Sequence, residues 1–140
     1  RIGALMKLHE HKPIAFKALS DELNQPSLYQ VAIDVTCKRL GIDSLAGVPS
    51  TGDWQAEPAV QDMWQKVYED PSTHWELYEL AEKLVDLEDY FRRWRFNHVT
   101  TVERIIGFKR GTGGTAGVAY LRKMLEVELF PELWHVRGVL

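Results

Sequence analysis

The chain has a single cysteine, Cys37, among its 140 residues. An internal disulfide is therefore impossible, and no zinc cluster can be assembled from thiolates. Such cysteine usage fits a reducing, cytoplasmic compartment. No apolar run approaches the roughly 20 residues needed to cross a bilayer, and no secretory signal pattern is visible. Charge of one sign is scarce too, with 17 basic against 20 acidic residues and a net charge of -3. Neither nucleic acid nor an anionic membrane is expected as a partner of such a surface. Internal repeats and low-complexity tracts are lacking, and strand signals are weak throughout. What remains is an ordinary globular composition, 45% hydrophobic and 26% charged, long enough for one core. Residues 1–140 are read as a single all-α domain. The chain begins at Arg1 rather than methionine, so these residues are not assumed to hold a complete active site.

Helix signals recur. Residues 4–22 read as a helix broken near Pro13. Ser27 followed by Gln30 predicts a capping box, with Leu28, Val31, Ala32, Val35 and Leu40 as the apolar stripe and Gly41 as the C-terminal cap. Residues 41–57 read as loop. Pro58 suits the first turn of a helix that faces Val60, Met63, Trp64 and Val67 inward and ends at Pro71. Thr73 with Glu76 predicts a second capping box, opening a helix that runs to about Phe108. In it Leu77, Leu84, Phe91, His98 and Ile105 recur every seven residues, beside a row of Leu80, Leu87 and Trp94. The pattern predicts one continuous apolar stripe on a helix about 50 Å long, which suits the scaffold of a bundle. Between Gly111 and Gly117 stand four glycines, too many for a helix interior, so a glycine-rich loop follows. A last helix is expected from about Ala119 to Leu129, stopped by Pro131.

Three features could carry chemistry. His98 sits on the apolar stripe, where a histidine is commonly just a core residue. A neutral imidazole on an apolar helix face is also a common way to hold haem iron. Zinc is the weaker reading, since no second histidine stands at ligand spacing and no cysteine pair exists. The glycine loop lacks the spacing of a phosphate-binding loop and no strand precedes it. It reads either as a connector or as backbone free to approach a ligand, with Thr112 and Thr115 adding hydroxyls. Arg92, Arg93, Arg95, Arg104, Lys109 and Arg110 gather around both features. They read as a solvated face, or beside a haem as partners for its propionates.

The order of these residues adds more than any one of them. Trp94-Arg95-Phe96-Asn97-His98, then Val102 through Gly117, then Tyr120-Leu121-Arg122, resembles the signature of the tryptophan 2,3-dioxygenase family. The match covers about thirty residues, and the segment from Trp64 to Phe91 is similar only in length and helical character. The resemblance implies an all-α bundle, haem b, and His98 as the axial iron ligand. It implies that Thr112, with Gly111 and Gly113, lies against the amino-acid end of the substrate. Trp94, Gly114 and Thr115 would shape the cofactor's surroundings. The implied activity is oxygenation of an aromatic amino acid by O2, most directly cleavage of the tryptophan indole to N-formylkynurenine. A homo-oligomer, a tetramer in this family, is implied as well.

The sequence departs from the pattern in places. Thr101 stands where an apolar residue is usual, Thr115-Ala116 where two serines are usual, and Val118-Ala119 where aromatics are usual. The family's Y-E-L-W-F-K helix and S-G-F-Q-S element are not found in these residues. The chain therefore resembles the carboxyl-terminal half of such an enzyme and is not expected to turn over substrate alone. Two alternatives stand beside this reading. One is a related haem-dependent hydroxylase of tyrosine or modified tryptophan. The other is a non-catalytic haem-binding helical module.

Overall fold

The computed structural model describes residues 17, 21, 25–45, 56–107 and 118–140. Every regular element among them is helical. The helix expected over 4–22 and the glycine loop fall largely outside the described residues. The chain divides into two compact units, residues 1–46 and 47–140, each described on its own.

In the first unit, α1 spans Leu28–Leu40. Its start is the expected capping box. Ser27 Oγ accepts from the Gln30 N–H at 3.2 Å, and Gln30 Oε1 accepts from the Ser27 N–H at 2.8 Å. Gly41 ends the helix in the left-handed region (φ 67°), which a side chain would resist. The buried face differs from the expected stripe. Ala32, Ile33, Thr36 and Cys37 are buried, while Leu28, Val31 and Val35 are exposed. Both sides of this helix carry apolar residues, so periodicity alone could not choose between them. Thr36 is satisfied locally, its hydroxyl donating to the Ala32 carbonyl at 2.8 Å.

In the second unit, α2 spans Pro58–Glu69 and buries the four residues expected, Val60, Met63, Trp64 and Val67. Proline at its first turn costs nothing, because that N–H has no helical partner. The preceding Glu57 N–H donates to the carboxylate of Glu132 at 2.8 Å. The connection to the next helix corrects one expectation. Thr73 and Glu76 form no capping box, and His74 caps without a side-chain bond. Asp70 organises the turn instead, accepting from Ser72 Oγ at 2.7 Å and the Thr73 N–H at 3.1 Å.

Helix α3 spans Trp75–Ile106 and is closed by Gly107 (φ 60°), slightly short of the expected end. After residue 117 come α4 (Val118–Lys123), a 3-10 turn (Met124–Glu126), α5 (Pro131–His135) and a second 3-10 turn (Val136–Gly138). This corrects the continuous helix expected to Leu129. Pro131 does not stop a helix but opens one, at the position where proline is best tolerated. The core forms where α2, α3, α5 and the second 3-10 turn meet, from Trp64, Met63 and Val67, Leu77, Ala81 and Leu84, Leu133, and Val136.

Long-range side chains explain why the last helix breaks. The Glu88 carboxylate accepts from the Leu129 N–H at 3.0 Å and the Phe130 N–H at 2.9 Å. The Arg95 guanidinium donates to the carbonyls of Met124 at 2.6 Å and Val127 at 2.8 Å. Backbone groups paired in this way do not need a helical ladder.

Candidate functional site

Geometry on α3 is set by a slow drift. A seven-residue row slips by about 20° per repeat around a helix of 3.6 residues per turn. From Leu77 to Ile105 that accumulates to about 80°. Leu77 and Leu84 accordingly lie in the core, whereas Phe91 (47% exposed) and Ile105 (75%) do not. The single stripe read from the sequence is thus two faces. One carries Leu77, Ala81, Leu84, Val85, Glu88 and Val99 and is packed. The other carries Leu87, Phe91, Trp94, His98 and Ile105 and is exposed.

His98 stands in the exposed strip. Its imidazole stacks on the Trp94 indole, with ring centroids 5.3 Å apart and planes 5° from parallel. Trp94 in turn meets Phe91 edge-on at 6.2 Å and 66°. Helical spacing makes this cluster, since residues three and four apart are neighbours on one face. No hydrogen bond or ion pair engages His98 among the described residues. Thr101, one turn from Asn97, turns its hydroxyl back to the Asn97 carbonyl at 2.8 Å and so leaves the strip apolar.

Most nearby cations are already committed. Arg92 pairs with Glu88 at 3.0 Å and Glu128 at 3.2 Å and lies over the Trp134 ring at 4.1 Å. Arg93 pairs with Asp89 and Arg95 with backbone carbonyls. Arg122 pairs with Glu103 at 2.6 Å. Arg104 is exposed and engages no partner among the described residues. Lys109 and Arg110 lie outside them, as do Gly111, Thr112, Gly113, Gly114 and Thr115. The segment that holds those residues leaves α3 at Gly107 and rejoins the described fold at the buried Val118.

An open groove of about 310 Å³ runs along another face of α3, lined by Arg92, Phe96, Leu125, Glu126 and Glu128. It does not include His98, and its cation is held by two carboxylates. The exposed strip instead carries the His98 imidazole, stacked on Trp94. Among the described residues no group of three or more His, Cys, Asp or Glu could hold a metal ion directly. A single uncommitted imidazole amid flat apolar side chains fits a large planar cofactor whose iron needs one axial nitrogen. Also among the described residues, no helix is long and apolar enough to cross a membrane.

Sequence reasoning missed Glu88, and it read Arg95 only as one of the cations of a solvated face or a propionate partner, whereas its guanidinium is spent on the Met124 and Val127 carbonyls. Glu88 is fully buried beside Leu84 and Val85. A carboxylate on an otherwise apolar face was the available signal, because such groups are buried only when paired.

Comparison with known proteins adds an independent line. The family profile described as tryptophan 2,3-dioxygenase matches residues 56–140. Proteins named tryptophan 2,3-dioxygenase are similar over almost the whole chain. That of Ruegeria pomeroyi is 63% identical over 99% of this chain and 50% of its own length. That of Bradyrhizobium diazoefficiens is 58% identical over 100% of this chain and 51% of its own length. That of Pseudomonas fluorescens is 52% identical over 99% of this chain and 50% of its own. The chain spans about half the length of the curated relatives it matches.

Proposed function

We propose, because this chain belongs to the tryptophan 2,3-dioxygenase family, that it supplies the haem-ligating part of an enzyme that oxygenates tryptophan with O2 to N-formylkynurenine. The observation that carries this reading is the uncommitted His98 imidazole, stacked on Trp94 in an exposed apolar strip.

His98 would hold haem b through one imidazole nitrogen, and the apolar strip would lie along the macrocycle. When bound, the haem supplies the iron at which O2 is activated. The protein's part is binding, orientation and exclusion of water. Phe91, Trp94 and Ile105 present apolar surface of the kind that keeps such a site dry. Trp94 limits rotation of the imidazole by lying parallel to it. Thr112 is assigned the charged end of the amino acid, which must be hydrogen-bonded before it can enter an apolar site. Gly111 and Gly113, which carry no side chain to keep backbone away from a ligand, are assigned to the same end, and Gly114 and Thr115 to the cofactor. The functional form is proposed to be a homo-oligomer.

The chain at its natural length, reconstituted with haem and given tryptophan and O2, should yield N-formylkynurenine by mass spectrometry. Residues 1–140 alone should not turn over. A hydroxylated amino acid as the sole product would contradict ring cleavage. Robust turnover by residues 1–140 would show that every needed group lies within them.

A further inference from the structure

Beyond Glu88, α3 has only one more buried side chain, Val99. The turns that carry Trp94 and His98 are therefore held to the rest of their unit largely by polar links. One is the pair between Arg122 and Glu103 at 2.6 Å, whose arginine is 58% exposed. Exposed pairs of this kind hold geometry weakly.

Arg95 is a different kind of link. Its Nη1 donates to two carbonyls at once, Met124 at 2.6 Å and Val127 at 2.8 Å. Its Nε reaches back to the Phe91 carbonyl at 3.4 Å. Met124 opens the 3-10 turn Met124–Glu126 and Val127 follows it, where a short helix leaves carbonyls without helical partners. A planar, permanently charged guanidinium satisfies both and holds them in one direction. Arg95 stands three residues before His98, in the same turn of α3. One side chain therefore joins the histidine-bearing turn to the returning chain.

We infer that Arg95 is a positioning residue for His98, clamping its turn of α3 to the Met124 and Val127 carbonyls so that the imidazole projects in one fixed direction. This rests on the reading of His98 as the axial ligand. Arg95 touches neither cofactor nor substrate in this role. The physical need is clear. A ligand must be held within about 0.5 Å of its working geometry by groups that are themselves fixed. The end of a helix with little buried surface opens locally at low cost. A clamp one turn away suppresses that opening, in the way that outer-shell partners orient metal ligands.

The test uses the protein at its natural length, with Arg95→Met, Arg95→Lys and, as a control, Arg137→Met. Arg137 bonds Glu82 at 2.6 Å and belongs to neither turn. The first readout is amide hydrogen exchange over residues 96–101 in the haem-free protein. Arg95→Met should exchange there about ten- to a hundredfold faster, the scale of losing a hydrogen bond to a charged group. Arg95→Lys should fall between, and Arg137→Met should match wild type. The second readout is the ferrous iron–histidine stretching band and the rate of haem loss to a scavenger. In Arg95→Met the band should shift or broaden and haem should leave faster, with partial recovery in Arg95→Lys. Should Arg95→Met fail to fold, Arg95→Lys carries both readouts.

A merely structural role predicts lower melting temperatures in Arg95→Met and Arg137→Met alike, with exchange at 96–101, the band and haem loss as in wild type. That result overturns the inference. Faster exchange with an unchanged band overturns it as well. An unaltered haem spectrum in His98→Ala would instead remove the axial-ligand reading and this inference with it. The haem-free exchange data keep the two failures apart.

Discussion

The Trp94 indole and the His98 imidazole lie parallel, 5° apart in plane and 5.3 Å between centroids. They stand one turn apart on an exposed face of α3. The stack restricts how the imidazole can rotate and presents an apolar plate beside it.

Trp94 should therefore matter to cofactor retention without being a ligand. Aromatic pairs contribute about 0.5–1.5 kcal/mol beyond area burial. Trp94→Ala should weaken haem binding about two- to tenfold by that scale, and Trp94→Phe should weaken it less. Haem titration followed in the Soret region checks this. Equal affinities for wild type and Trp94→Ala would mean that the stack plays no part in holding the imidazole.

Glu88 should dominate the stability of the second unit. Its fully buried carboxylate serves two backbone amides and Arg92. Removing one partner of a buried pair costs about 3–5 kcal/mol. Glu88→Ala should lose stability on that scale in urea unfolding, because two amides and a guanidinium are left unpaired. Arg92→Met should cost clearly less, since Arg92 is a third exposed and Glu88 keeps its amides. A Glu88→Ala loss no larger than that of Arg92→Met would refute the hub.

The turn before α3 should respond to acid through Asp70. Hydrogen bonds from Ser72 and Thr73 hold its carboxyl down to about 2 from the ordinary value of 3.8. A carboxyl lowered by folding adds stability that is fully present above the ordinary value and is lost as pH falls through about 2. Asp70→Ala should accordingly be less stable than wild type at neutral pH, with the gap closing between about pH 4 and 2. Melting both proteins across that range reads the gap. A gap that stays constant with pH would show that the carboxylate is not the source.

Most local signals in the sequence proved legible, the capping box expected at Thr73 and Glu76 and the stripe through Leu28, Val31 and Val35 being the exceptions, and distant ones did not. Ser27, Gln30 and Gly41 bounded α1 correctly because each acts within one turn of itself. Pro58 and the four inward residues of α2 were legible for the same reason. Pro131 was misread because proline both ends and begins helices, and only the Glu88 bonds to Leu129 and Phe130 settle which. The strip bearing His98 looked continuous with the core because residue spacing hides a drift that builds up over four repeats. The family signature was legible over a third of α3 and the segment after it. The similarity to relatives reaches far beyond it, into helices where single residues carry no recognisable motif.

Thr112 should separate a substrate-binding loop from a plain connector. Losing one hydrogen bond to a charged group costs about 1.5–3 kcal/mol, or about ten- to a hundredfold in affinity. Thr112→Ala should weaken tryptophan binding by that factor while haem content stays normal, and Thr112→Ser should be milder. Titrating tryptophan into the ferric protein and following the Soret shift gives both affinities. Identical values for wild type and Thr112→Ala would return the loop to a connecting role.

The central claim is that His98 holds the haem iron, and the ferrous optical spectrum of His98→Ala tests it most directly. In the protein at its natural length, the variant should lose its Soret band or show a changed ligation state, and added imidazole should restore the wild-type band. A ferrous spectrum indistinguishable from wild type without imidazole would contradict it.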